Sequence, residues 1–162
     1  MKSFLIFLLT LSFSYSYSQA LPPLKDIPLN VKADYQPADS IVLLASTYIL
    51  SNPFDENDAR RLECLQFILR WMTGTPDFNF TFDKVATKIS KGNDNLMGLY
   101  IACMSKFSLE NRALSKDAKA VELNSLKMLL EYCQNPNNNI QMTKQLKKLA
   151  EANQKGELEK EL

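Results

Sequence analysis

From residue 39 to residue 154 the chain alternates long apolar runs with short polar breaks, and within most runs the apolar positions recur at helical spacing. The first run, Asp39 to Ser51, carries Ile41, Val42, Leu43, Leu44, Ala45, Tyr48, Ile49 and Leu50, with only Ser46 and Thr47 as internal polar positions. A helix apolar nearly all round belongs in the core. Asn52-Pro53-Phe54 breaks it. A second helix follows from Asp55 or Asn57 to Thr73, opened by Asp55, Glu56 and Asp58, which suit the positive end of a helix dipole, and stopped by Gly74 and Pro76. Its polar positions form one narrow stripe, Glu63, Gln66, Arg70 and Thr73. A long helix with so narrow a wet face is expected to be the one against which the others pack.

Phe78, Phe80 and Phe82 alternate with polar residues. So short a stretch without a partner predicts an extended connector rather than a sheet. Asp83 is placed to cap a short third helix ending at Ser90, before Gly92. The fourth helix opens at Asn93 or Asp94 and shows one buried stripe, Leu96, Leu99, Tyr100, Cys103, Met104 and Phe107. A fifth is expected from Ser115 to Gln134, a turn from Asn135 to Asn139, and a sixth helix from Gln141 to Asn153. The pattern predicts an all-α domain over residues 38–155, an irregular bundle of about six helices, with stacked antiparallel helix pairs as the alternative. No internal repeat period is visible.

Outside this domain the pattern changes. Residues 1–18 combine Lys2, an apolar run from Phe4 to Phe13 and the small-x-small triplet Ser16-Tyr17-Ser18, the organisation of a secretory signal peptide. The run is short of the roughly 20 residues that span a bilayer, so no membrane span is expected in the mature chain. Residues 19–37 hold Pro22, Pro23, Pro28 and Pro37 and read as an extended lead-in, either a strap packed through Leu21, Leu24, Ile27, Leu29 and Val31 or a flexible tether. Residues 156–162, GELEKEL, form a charged tail.

Composition narrows the chemistry. A chain of 162 residues with 46% hydrophobic residues can bury one core. Its formal net charge is +1, and loss of Lys2 with the leader leaves it neutral, which provides no electrostatic footprint for nucleic acid. Cys64, Cys103 and Cys133 are too widely spaced for a CxxC pair and sit among apolar residues, so buried free thiols are expected, with one bridged pair as the alternative. The chain contains no histidine, which excludes Ser-His-Asp and Cys-His catalysis, histidine-ligated zinc and CxxCH haem attachment. No serine stands three residues before a lysine, and the four glycines build no phosphate-binding loop. The acidic run from Asp55 lacks the glycine and glutamate of a calcium loop. No metal and no cofactor is expected.

Two candidate sites remain. Glu63 and Asp77 flank the aromatic stretch and supply the carboxylate pair of a glycan hydrolase; against this, Glu63 belongs to the wet stripe and Asp77 follows Pro76 in a turn. The second is a binding surface of Arg70, Trp71, Thr75, Asp77 and Phe78, since Arg and Trp are favoured interface anchors. The competing reading buries Trp71 in the core.

The segments SNPFDENDARR, FILRWMTGTPDF and NNNIQMTKQLKKLAEANQKGELEKEL resemble a group of small, uncharacterised secreted proteins of Bacteroidota-type bacteria. The resemblance implies export and an all-helical fold; it carries no activity, cofactor or site. The expectation is therefore a non-enzymatic exported protein, periplasmic or secreted, that contacts a partner protein of the cell envelope, with a carboxylate hydrolase or a carrier of an apolar ligand as alternatives.

Overall fold

The computed structural model describes residues 21–82 and 84–162, so the expected leader and the Asp83 cap lie outside the described residues. The chain is all-α. Helices α1 (Tyr35–Ser51), α2 (Ala59–Gly74), α3 (Lys84–Ser90), α4 (Asn95–Glu110), α5 (Ala118–Gln134) and α6 (Lys144–Gln154) pack on one another as an irregular bundle. Among the described residues no strand forms, and Phe78 to Phe82 are a connector without regular secondary structure.

The helix at the centre is α4, not α2. It packs against α1, α2, α3 and α5, and every residue from Leu99 through Ser105 is buried. Its sequence looked amphipathic because Ser105 and Ser108 read as polar; both are small and both are buried. Ser105 Oγ donates to Ile101 O at 3.0 Å, satisfying its hydroxyl within the helix so that neighbouring helices can close over it. Helix α2 instead keeps a broad outer side. Gln66 and Arg70 are exposed with Leu62, at 57% exposure, and Leu69, at 37%.

Side-chain caps set several helix starts and move them from the periodicity-based positions. Asp58 accepts from Arg60 N and Arg61 N, so α2 begins at Ala59 and Asp55–Asn57 form a separate turn. Asp117 and Thr143 start α5 and α6 in the same way, a few residues later than the apolar pattern suggests. Helix α1 begins earlier than expected, at Tyr35, because Pro37 falls in its first turn, where a missing N–H breaks no intrahelical bond.

The lead-in is a strap packed through Leu24, with Leu21, Ile27 and Leu29 half-buried against the core, whereas Val31 is exposed and does not pack. Leu24 is 1% exposed, the turn Leu24–Asp26 packs on α2, and Arg70 Nη2 donates to Ile27 O at 2.9 Å. Tyr35 Oη donates to Leu29 O at 3.2 Å, and an added Cβ at Gly74 would meet that hydroxyl at 1.8 Å. Glycine at the end of α2 therefore makes room for the tyrosine that anchors the strap. The C-terminal segment also packs: Leu158 is buried and Lys148 pairs with Glu161 at 2.7 Å, folding the last turn back on α6.

Candidate functional site

The five residues proposed from sequence as a binding surface divide between interior and exterior. Trp71 is fully buried, and its Nε1 donates to Asp39 Oδ1 at 2.9 Å. Phe78 is buried against it, with ring centroids 5.3 Å apart, and Phe80 closes the cluster at 5.6 Å from Trp71. Arg112 lies over the Phe78 ring and pairs with Asp39 Oδ2. Thr75 donates its backbone N–H to Trp71 O at 2.9 Å, ending α2. Arg70 and Asp77 are at the surface: Arg70 holds the strap, and Asp77 borders a shallow depression with Phe78, Arg112 and Lys116. Glu63 lies elsewhere on α2 and pairs with Arg60 at 3.6 Å; it does not line the depression beside Asp77.

A cleft of about 160 Å³ lies at the opposite end of α2. Its floor is apolar, formed by Ile49 of α1, Leu65 of α2 and Leu99 of α4, and its rim carries Asp55, Glu56, Asp58 and Asp94. Gly98 lines it too. An added Cβ there would meet Leu65 Cδ2 at 2.9 Å, so glycine at this position lets Leu65 lie against α4. None of Glu56, Asp94, Leu62 or Gly98 stood out in the sequence as a site residue. The available signal was two acidic helix starts, Asp55-Glu56 before α2 and Asp94 before α4, but only packing places them around one opening.

A buried cation holds the cleft's inner wall in shape. Arg61 is 7% exposed, and its Nη2 donates to Ile49 O at 2.9 Å, Asn52 O at 3.0 Å and Pro53 O at 3.2 Å. These are carbonyls at the end of α1, where helix geometry leaves acceptors unpaired and the dipole is negative. Tyr132 Oη of α5 lies 3.1 Å from the same nitrogen and donates to Asn52 O at 2.8 Å. Burial pushes the Tyr132 hydroxyl pKa up, although the Arg61 charge acts the other way. Arg61 also stands over the Phe54 ring, and its Nε has no acceptor among the described residues.

Asp58 connects this wall to α1 by accepting from Tyr48 Oη at 3.1 Å. Partial burial raises the Asp58 pKa, but the N–H groups of Arg61 and Arg60 and the Tyr48 hydroxyl together outweigh it and hold the carboxyl below its usual range. The Tyr48 pKa is raised, first by burial and then by its bond to Asp58. Glu56 and Asp94, by contrast, make no side-chain hydrogen bond or ion pair among the described residues.

The three cysteines are free and buried. Burial pushes the Cys64 thiol up to about 11 and the Cys133 thiol up to about 12, and raises Cys103 further still. These are packing groups rather than nucleophiles. Among the described residues no helix is long and apolar enough to cross a membrane. No family model, curated protein or solved structure matches the chain.

Proposed function

We propose that the chain is a non-enzymatic exported protein of the cell envelope that works by docking a partner protein at the cleft between α2 and α4. Export rests on the organisation of residues 1–18, and the grouping with small secreted proteins of Bacteroidota-type bacteria rests on the three segments quoted above. The docking role is supported chiefly by Leu62, which is 57% exposed beside Glu56 and Asp94, two carboxylates with no side-chain partner among the described residues. An apolar side chain held in water next to uncompensated charge contributes little to stability, and it suits a surface that is covered in use. The size of the cleft points the same way. Small-molecule sites usually enclose roughly 300–1,000 Å³, whereas this one has room for a side chain, the dimension of an anchor pocket in a protein interface.

The test is a photoreactive residue placed at Leu62 in cells that export the protein, with Leu114, a 47% exposed leucine outside the cleft, as control. A discrete protein adduct at position 62 and none at position 114 is the expected result. Equal labelling at both positions, or none at 62, would count against the proposal.

A further inference from the structure

We infer that the occupant of the cleft is a lysine or arginine side chain carried between apolar residues on a segment of the partner. This deepens the docking proposal and rests on it. The first support is charge. Four carboxylates, Asp55, Glu56, Asp58 and Asp94, border the cleft, and among the described residues Arg61 is the one cation that lines it. Arg61 offsets only part of that charge, acting on Asp58, so acidic groups remain in excess at the rim. Glu56 and Asp94 make no side-chain hydrogen bond or ion pair among the described residues. A cationic group seated at the rim is attracted to both.

The second support is the spread of the rim. Among the described residues no group of three or more acidic side chains is placed to hold a metal ion. An extended organic cation fits a dispersed rim better than a point charge does.

The third support is the apolar stripe that continues out of the cleft. Leu62, Leu65 and Leu69 lie three and four residues apart on α2, with Leu62 and Leu69 exposed. An apolar residue next to the cation in the partner segment would cover this stripe. A lone basic residue in a polar segment would leave it in water. Cation and apolar neighbour together define the chemistry.

The experiment is a titration of the isotope-labelled full chain with acetyl-Ala-Leu-Lys-Leu-Ala-amide, followed by backbone amide shifts at Leu62 and Gly98. Controls are the same peptide with glutamine for lysine, butylamine alone and calcium chloride. The lysine peptide should shift these amides and bind about ten-fold more tightly than its glutamine counterpart, an advantage that falls as salt is raised. Glu56→Gln with Asp94→Asn should remove the advantage while the circular dichroism spectrum is kept. Should that double variant fail to fold, Leu62→Gln, on an exposed position, should weaken both peptides together. Equal binding of the two peptides, no shift with either, or binding of butylamine or calcium as tight as the lysine peptide would each overturn the inference. A position-62 adduct obtained in cells alongside equal peptide binding would overturn the inferred occupant and leave the docking role standing. Absence of both would remove the two together.

Discussion

Trp71 of α2 and Asp39 of α1 are joined in the interior by a hydrogen bond of 2.9 Å from the indole Nε1 to Oδ1, while Asp39 Oδ2 takes the guanidinium of Arg112. One carboxylate thus ties the first helix, the second helix and the α4–α5 turn. Asp39 is 6% exposed and Trp71 is fully buried. Trp71→Phe removes the donor and part of the ring, so it should destabilise by about 2–4 kcal/mol, as measured by urea unfolding. Asp39→Asn keeps an acceptor for the indole and should cost less than Asp39→Ala.

Arg61 supplies a second tie. Replacing it with leucine leaves the carbonyls of Ile49, Asn52 and Pro53 without the donor that now serves all three, at the end of a helix that Pro53 cannot extend. Loss of a buried charged donor should cost about 3 kcal/mol or more in urea unfolding. Tyr132→Phe removes a single neutral hydroxyl from the same network and should cost about 1 kcal/mol.

Asp58 links stability to pH. Its folded-state pKa lies below the ordinary value, because the Arg61 and Arg60 N–H groups and the Tyr48 hydroxyl outweigh the opposing effect of burial. A depressed carboxyl contributes stability that is present above its unfolded pKa of about 3.9 and is lost as pH falls through the lower folded value. Asp58→Asn keeps the helix cap without the titration, so its urea midpoint should fall less steeply over that acid range. Asp58→Ala loses the cap as well and should be about 1 kcal/mol less stable at neutral pH.

The thiols act at the other end of the scale. Cys64 and Cys133 have folded pKa values pushed up by burial to about 11 and about 12. Below the unfolded value of about 8.5 both states are protonated and the stability is fully present; it is lost as pH rises toward the folded values. The three buried thiols should therefore be nearly inert to an aromatic disulfide reagent at pH 8 in the native protein, and all three should titrate in concentrated guanidinium chloride. Rapid native labelling of one thiol would contradict its burial.

Gly98 offers a substitution with opposite effects on stability and binding. Alanine is the better helix former by up to ~1 kcal/mol. Its Cβ would meet only the far end of the Leu65 side chain, at 2.9 Å, and that side chain can turn. Gly98→Ala should leave the melting temperature equal or slightly higher while narrowing the cleft, so that the lysine peptide binds more weakly. A large loss of stability would show that Leu65 has nowhere to move.

The hydrophobic pattern made the helices legible, because each buried face repeats at helical spacing. It misplaced the starts of α2, α5 and α6, where a single side-chain oxygen on Asp58, Asp117 or Thr143 decides the boundary. It also chose the wrong central helix. Leu62 and Leu69 look identical in sequence to buried leucines, and Ser105 looks like a solvated residue, yet packing reverses their places. The cleft was hidden for a related reason: Glu56 and Asp94 are 38 positions apart and border one opening only once α2 and α4 are packed. Trp71 was legible as a core residue, and its partner Asp39 was not, since a buried carboxylate leaves no periodic signal.

The docking role is reached most directly by sequencing the partner segment cross-linked to position 62 in the exporting cell. The expected adduct carries a lysine or arginine flanked by apolar residues, and its yield should drop in the Glu56→Gln, Asp94→Asn background while labelling at position 114 stays at background. An adduct on an acidic or uncharged segment would contradict the inferred occupant, and labelling at position 62 no greater than at position 114 would contradict docking at the cleft.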